Sequence, residues 1–187
     1  MTCWWISILE QLRERLRDDV SWLRELDAIE DQDMPRSALH LAVFVEPYLQ
    51  FVLDGKKTVE SRFSSNRCAP FGVIRPGDLV LLKRSGGPVE GICQIADVWS
   101  YRLDPASSKE IRGGFGKQLC ISDPEFWSAR KNASYATLMR IQRTRKLPPI
   151  AVQKRDRRGW VLLRNRRDEQ PLLDAVFGRT PAETSVR

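Results

Sequence analysis

The sequence predicts an α+β protein: a small β-barrel with short helices and an added N-terminal amphipathic helix. Three observations lead there. Five or six short apolar runs stand between glycine- and proline-bearing turns, which is the pattern of a compact antiparallel β domain. Only two short helix signals fall among them, too few to cover a parallel sheet. The first thirty residues instead repeat apolar side chains at helical spacing.

Residues 4–30 carry Trp5, Ile8, Leu9, Leu12, Leu16, Val20, Leu23 and Leu26 at three- and four-residue steps, with charges between them. One amphipathic helix is expected, ending before Met34-Pro35. Its stripe must cover either this protein's own barrel or a partner, including a second copy. Ala38 to Val45 reads as the first strand, and Tyr48 to Leu53 as a short helix opened by Pro47 and closed by Asp54-Gly55. Thr58 to Phe63 is the second strand. Arg75-Pro76-Gly77-Asp78 is a turn leading into Leu79–Arg84. Val89 to Tyr101 is a longer strand interrupted near Asp97. Arg102 to Leu119 reads as a polar connection, and the glycines of Gly113-Gly114-Phe115-Gly116 fit neither phosphate-binding spacing. Ser122 caps a short helix bearing Phe126 and Trp127, and Tyr135–Ile141 and Trp160–Leu163 complete the strands. The chain divides into a helical segment 1–35, a barrel domain 36–168 and a tail 169–187, disordered at its end.

Charge is distributed unevenly. The net charge is +7, yet residues 1–35 hold nine acids against four arginines. Between Arg143 and Arg167 ten basic residues face a single acid, Asp156. This points to a polyanionic partner for the main body, RNA first. Four scattered cysteines without a CxxC pair fit reduced thiols in a cytoplasm, not zinc or a disulfide framework. No run of 18 apolar residues suggests a membrane span. His40 is the only histidine and sits in an apolar strand, so neither a Ser-His-Asp system nor a histidine metal site is expected. No cofactor motif is found.

The chemistry concentrates in Gly55-Lys56-Lys57-Thr58-Val59-Glu60-Ser61-Arg62. On an unbroken strand Thr58, Glu60 and Arg62 share one face and Lys57 takes the other. Lys56, Lys57 and Arg62 suit phosphate, Arg62 bidentately. Glu60 can accept from an exocyclic amine or a ribose hydroxyl, and Lys57 with Glu60 could form an acid–base pair. Phe63, Trp99 and Tyr101 are candidate stacking surfaces. Arg143, Arg145, Lys146, Lys154 and Arg155 would extend a phosphate track.

Pro47 followed by Gly55-x-Lys57-x-x-Glu60-x-Arg62 resembles the GxKxxExR signature of ASCH domains, of the PUA-like superfamily. Arg75-Pro76-Gly77-Asp78, Ile121-Ser122-Asp123-Pro124-Glu125-Phe126 and Tyr135-Ala136-Thr137-Leu138 resemble that family's later landmarks, in order, over roughly residues 38–165. The resemblance implies a small barrel whose cleft is lined by the signature residues. It further implies RNA binding and RNA-linked regulation or processing. Some members hydrolyse N4-acetylcytidine and others are linked to RNA cleavage, so a metal-independent RNA or nucleoside hydrolase is the alternative. In the amidohydrolase members a threonine stands three residues after the motif lysine; this chain has Glu60 there. A further alternative is an adaptor acting through residues 4–30.

Overall fold

The computed structural model describes residues 4–31, 36–152, 154 and 157–166. The expected tail and Arg155 lie outside these residues. The elements run α1 (Trp4–Arg15), α2 (Val20–Glu30), β1 (Leu39–Phe44), α3 (Tyr48–Leu53), β2 (Val59–Ser64), β3 (Leu79–Arg84), β4 (Val89–Arg102), α4 (Pro105–Leu119), α5 (Glu125–Ser128), β5 (Tyr135–Ile150) and β6 (Trp160–Arg164). The six strands form one curled, half-barrel sheet in the order β2-β5-β4-β3-β1-β6. Only the β1–β3 pairing is parallel; the other neighbours run antiparallel. The α+β class and barrel-like architecture expected from the sequence are those observed.

β1 and β3 are mostly apolar because both of their faces are covered; His40 and Lys83 are buried polar exceptions. Leu39, Leu41, Leu79 and Leu81 face outward and pack under Leu9, Leu12, Leu26 and Ile29 of the N-terminal helices. Ala42, Phe44, Val80 and Leu82 alternate with them and fill the barrel, with Cys93, Met139 and Trp160. Each fully covered leucine contributes about 1.5–3 kcal/mol of burial. Ile8, Leu9, Leu12, Leu16 and Leu26 of the apolar stripe are thus buried against this protein's own sheet, while Val20 stays exposed.

That segment is two helices where the periodicity suggests one. Asp18 and Asp19 interrupt it: the Asp19 side chain accepts from the Trp22 N–H at 3.3 Å and caps α2. The pair is then tied down by charge. Arg13 reaches Asp27 at 2.6 Å and Glu30 at 2.5 Å. Arg143 of β5 bonds Glu25 at 2.8 Å and lies 4.7 Å from the Trp22 ring. Part of the charge asymmetry is therefore internal, with acidic helices set against a basic strand.

The connection 102–119 is also a helix, contrary to expectation. Asp104 and Ser107 form a reciprocal capping box with Pro105 in the first turn. Ile111, Phe115 and Leu119 then pack on Val59, Trp99 and Leu138, and this packing overrides the poor helix propensity of three glycines. α5 is shorter than anticipated, and Asp123, not Ser122, accepts the Glu125 N–H at 2.8 Å. β4 shifts register between Ile95 and Asp97, where the sequence suggests an interruption. Gly55 and Gly77 take positive φ of 71° and 90° at the turns that enter β2 and β3.

Candidate functional site

β2 and β6 are the two ends of the sheet, and the barrel has a seam between them. Arg62 of β2 crosses it. Its guanidinium donates to the Val43 carbonyl of β1 at 3.0 Å and to the Gly159 carbonyl at 3.3 Å. Phe44 and Trp160 present their rings at 5.1 and 5.3 Å from its central carbon. Beside this bridge lies a cleft of about 230 Å³, bounded by Phe44, Tyr48, Phe63, Phe126 and Arg130 with Lys57, Glu60 and Arg62. This is smaller than the ~300–1,000 Å³ of a drug-sized site.

Lys57 and Glu60 are buried at 4% and 7% exposure. β2 begins only at Val59, so the strand alternation expected back to Lys57 does not hold. The Thr58 N–H and carbonyl bond to the Gln118 carbonyl and the Ile141 N–H. Residues 56–58 precede the strand, and the Lys57 ammonium comes to 3.5 Å from Glu60 rather than onto the opposite face. It also donates to the Leu119 carbonyl at 3.0 Å, the last carbonyl of α4, where the helix dipole favours a cation. Tyr48 lies 5.6 Å away, ring toward the ammonium. Burial pushes the Lys57 pKa below the ordinary lysine value, partly countered by the charge and hydrogen bond of Glu60. The other Glu60 oxygen stands 2.9 Å from Arg62 Nε. That buried Nε–H is not aligned with any acceptor, so the contact is an ion pair without a well-formed hydrogen bond.

Among the described residues Glu60 is the one carboxylate lining the cleft, against three cations: Lys57, Arg62 and Arg130. Asp123 and Glu125 are exposed and line no part of it. Arg130 is held flat, its central carbon 3.4 Å from the Phe126 ring centre, and donates to the Phe126 carbonyl at 2.7 Å. Among the described residues no carboxylate lies within ion-pair distance of it, and desolvation lowers its pKa. Arg130, Tyr48 and Phe126 were missed as site residues. The one sequence signal was the four-residue spacing of Phe126 and Arg130.

The other expected site residues lie elsewhere. Lys56 and Thr58 are exposed and do not line the cleft. Arg143 is engaged with Glu25, and Arg145 and Lys146 are exposed on the far half of β5, opposite Ile92 and Gly91 of β4. Lys154 is half-buried. Of the three candidate stacking rings, Phe63 lines the cleft. Trp99 and Tyr101 pack beneath α4 instead, with Trp99 5.0 Å from Phe115. His40 is structural: the Trp160 indole donates to its Nδ1 at 3.1 Å, so its Nε2 carries the proton and faces Asp78 at 3.2 Å. No group of three or more metal-ligating side chains occurs among the described residues, and no helix there is long and apolar enough to cross a membrane.

No family model matches the chain, and no curated protein does. Solved structures do. The ASCH protein of Zymomonas mobilis matches with a TM-score of 0.55 and 13% identity, covering 74% of this chain and 95% of the other. Two single-residue variants of that protein give the same score and identity, covering 98% and 96% of their own chains. At this identity the likeness speaks for the fold, and it agrees with the landmarks from Gly55 to Leu138. The chain has the ASCH fold.

Proposed function

We propose that this protein binds RNA, taking one unpaired nucleotide into the seam cleft. The observation that carries this reading is the composition of the cleft: three cations against one carboxylate, between aromatic walls. Single-stranded RNA is recognised by stacking on aromatic or guanidinium planes together with charge on its backbone. Phe63, Tyr48 and the Phe126–Arg130 pair supply such planes. Arg130 lacks an internal counter-ion among the described residues and is available to a phosphate. Glu60, fixed by Lys57 and Arg62, presents remaining lone pairs to an exocyclic amine or a ribose hydroxyl.

Fluorescence titration of a short single-stranded RNA, repeated at rising salt, tests the reading. Affinity should fall as salt rises. Arg130→Ala should weaken binding by about tenfold, the scale of one stacked cationic contact. Absence of binding at low salt, or an affinity indifferent to Arg130→Ala and Arg62→Ala together, would refute it.

One observation favours hydrolysis as a second reading: a buried lysine of lowered pKa beside a carboxylate is the arrangement of an amine base with its proton partner. Labelled RNA and N4-acetylcytidine should then each be tried with wild type and Glu60→Gln, product appearing only with the former. The neutral amine grows as pH rises toward the lowered Lys57 pKa. The rate should accordingly climb with pH below the ordinary lysine range. A rate that is flat or falls there, or no product from either substrate, removes this reading.

A further inference from the structure

A second cleft, of about 200 Å³, opens on the other side of Arg62. It is bounded by Phe71, Thr137, Gly159 and Trp160, and it shares Arg62 and Phe63 with the first cleft. Arg62 is therefore a partition. Phe44 on one of its sides belongs to the first cleft, and Trp160 on the other belongs to the second. Its place is fixed by the Val43 and Gly159 carbonyls, which occupy two of its five N–H donors. Its side chain remains 22% exposed.

The two sides differ in chemistry. The first holds the buried ion pair and Arg130. Among the described residues the second has no carboxylate and no lysine in its lining, which combines Phe63, Phe71, Trp160 and Pro70 with Ser64, Cys68 and Thr137. Phe71 is buttressed by Tyr135, with ring centres 4.9 Å apart, and the Arg67 guanidinium carbon lies 5.6 Å from the Phe71 ring centre. Arg67 is exposed and has no acid within ion-pair distance among the described residues. A strand crossing Arg62 would thus meet Arg130 in the first cleft and Phe71, with Arg67 against its ring, at the second.

We infer that the second cleft is a subsite for the adjoining nucleotide, so that the ligand class is a dinucleotide step within a single RNA strand rather than a free nucleoside. This rests on the proposed RNA-binding function of the first cleft. A free nucleoside fills one side of Arg62 only; a strand fills both. The aromatic lining of the second side, free of carboxylate and lysine, makes it tolerant of base identity, because every base offers a stacking face. Discrimination between bases then belongs to the Glu60 side.

The test uses cytidine 5′-monophosphate and the dinucleotide pCpC as probes, with the full chain and the variants Phe71→Ala and Cys68→Leu. Phe71→Ala removes the stacking wall. Cys68→Leu adds bulk at an exposed position of the same lining without removing a ring. The expected result is that pCpC binds wild type about tenfold more tightly than the monophosphate, the scale of one added stacked base. Both variants should lose that advantage while binding the monophosphate as wild type does, which also shows that they are folded. In NMR titrations the amides of Phe71 and Gly159 should move with pCpC and stay in place with the monophosphate. Equal affinities for the two probes, or an advantage that survives in both variants, overturns the subsite and leaves the first cleft's function standing. Failure of both probes to bind wild type at low salt overturns the RNA reading and this inference with it.

Discussion

Asp78→Ala should cost about 3–5 kcal/mol of folding stability, the penalty for stranding buried charges by removing their partner. Asp78 is fully buried at the turn before β3 and collects four donors. The Ala38 and Arg75 N–H groups reach it at 2.9 and 2.8 Å, Arg166 at 2.7 Å and His40 at 3.2 Å. His40 in turn orients Trp160, which packs both in the barrel core and against Arg62. One carboxylate thus joins β1, β3 and the residues after β6. Urea denaturation is the measurement, and the midpoint should fall with little change in slope. A loss under about 1 kcal/mol, the value of an ordinary hydrogen bond, would show that the network does not organise this end of the barrel. Burial works to raise the Asp78 pKa, but the His40 bond and the two backbone donors outweigh it and hold the carboxyl below its usual range. Its stabilisation is therefore present above the unfolded carboxylate pKa and fades as pH falls through the lower folded value. In Asp78→Ala that part of the acid transition should be missing.

A loss of similar size is expected for Glu60→Ala, about 3–5 kcal/mol, because it leaves the Lys57 ammonium buried without its counter-ion. The Lys57 pKa should fall further, since Glu60 is what holds it up against desolvation. NMR titration of the lysine side chain reads that shift directly. Lys57→Met with Glu60→Leu should recover most of the stability while abolishing the cleft's chemistry, separating fold from function. In the wild type the folded Lys57 pKa lies below the unfolded one, so the folded chain binds fewer protons between the two. The penalty of burying this lysine consequently shrinks as pH rises through the folded value toward about 10.4. A Glu60→Ala variant as stable as wild type would mean that water, not Glu60, solvates the ammonium.

The parts of the fold legible in the sequence are those fixed by local rules. Leu39–Phe44 and Leu79–Arg84 read as strands because most residues on both of their faces are apolar, and the turn at Arg75–Asp78 announces itself through Pro76 and Gly77. The helix α4 was hidden because its stability comes from Ile111 and Leu119 meeting β-strand residues far away in sequence, while its own glycines argue against it. Four residues of the stretch Gly55–Arg62 line the candidate cleft, whose shape the stretch does not encode. Lys57 is positioned by a carbonyl 62 residues away, Arg62 by one 97 residues away, and Arg130 arrives from another segment again. Such convergence is a property of chain closure, which residue spacing does not encode. Arg143, at the start of the basic run, is an internal fastener, and charge counting does not separate a fastener from a free surface such as that of Arg145 and Lys146.

The seam spanned by Arg62 has a mechanical consequence. Elsewhere in the sheet the neighbouring strands are joined by ladders of backbone bonds, which break only at a large cumulative cost. Across the seam the β2 side is fastened by one guanidinium on two carbonyls. Opening the gap would therefore break side-chain contacts of Arg62 and leave every strand pairing intact. The molecule keeps its rigidity in the sheet and its compliance in one latch beside the candidate cleft.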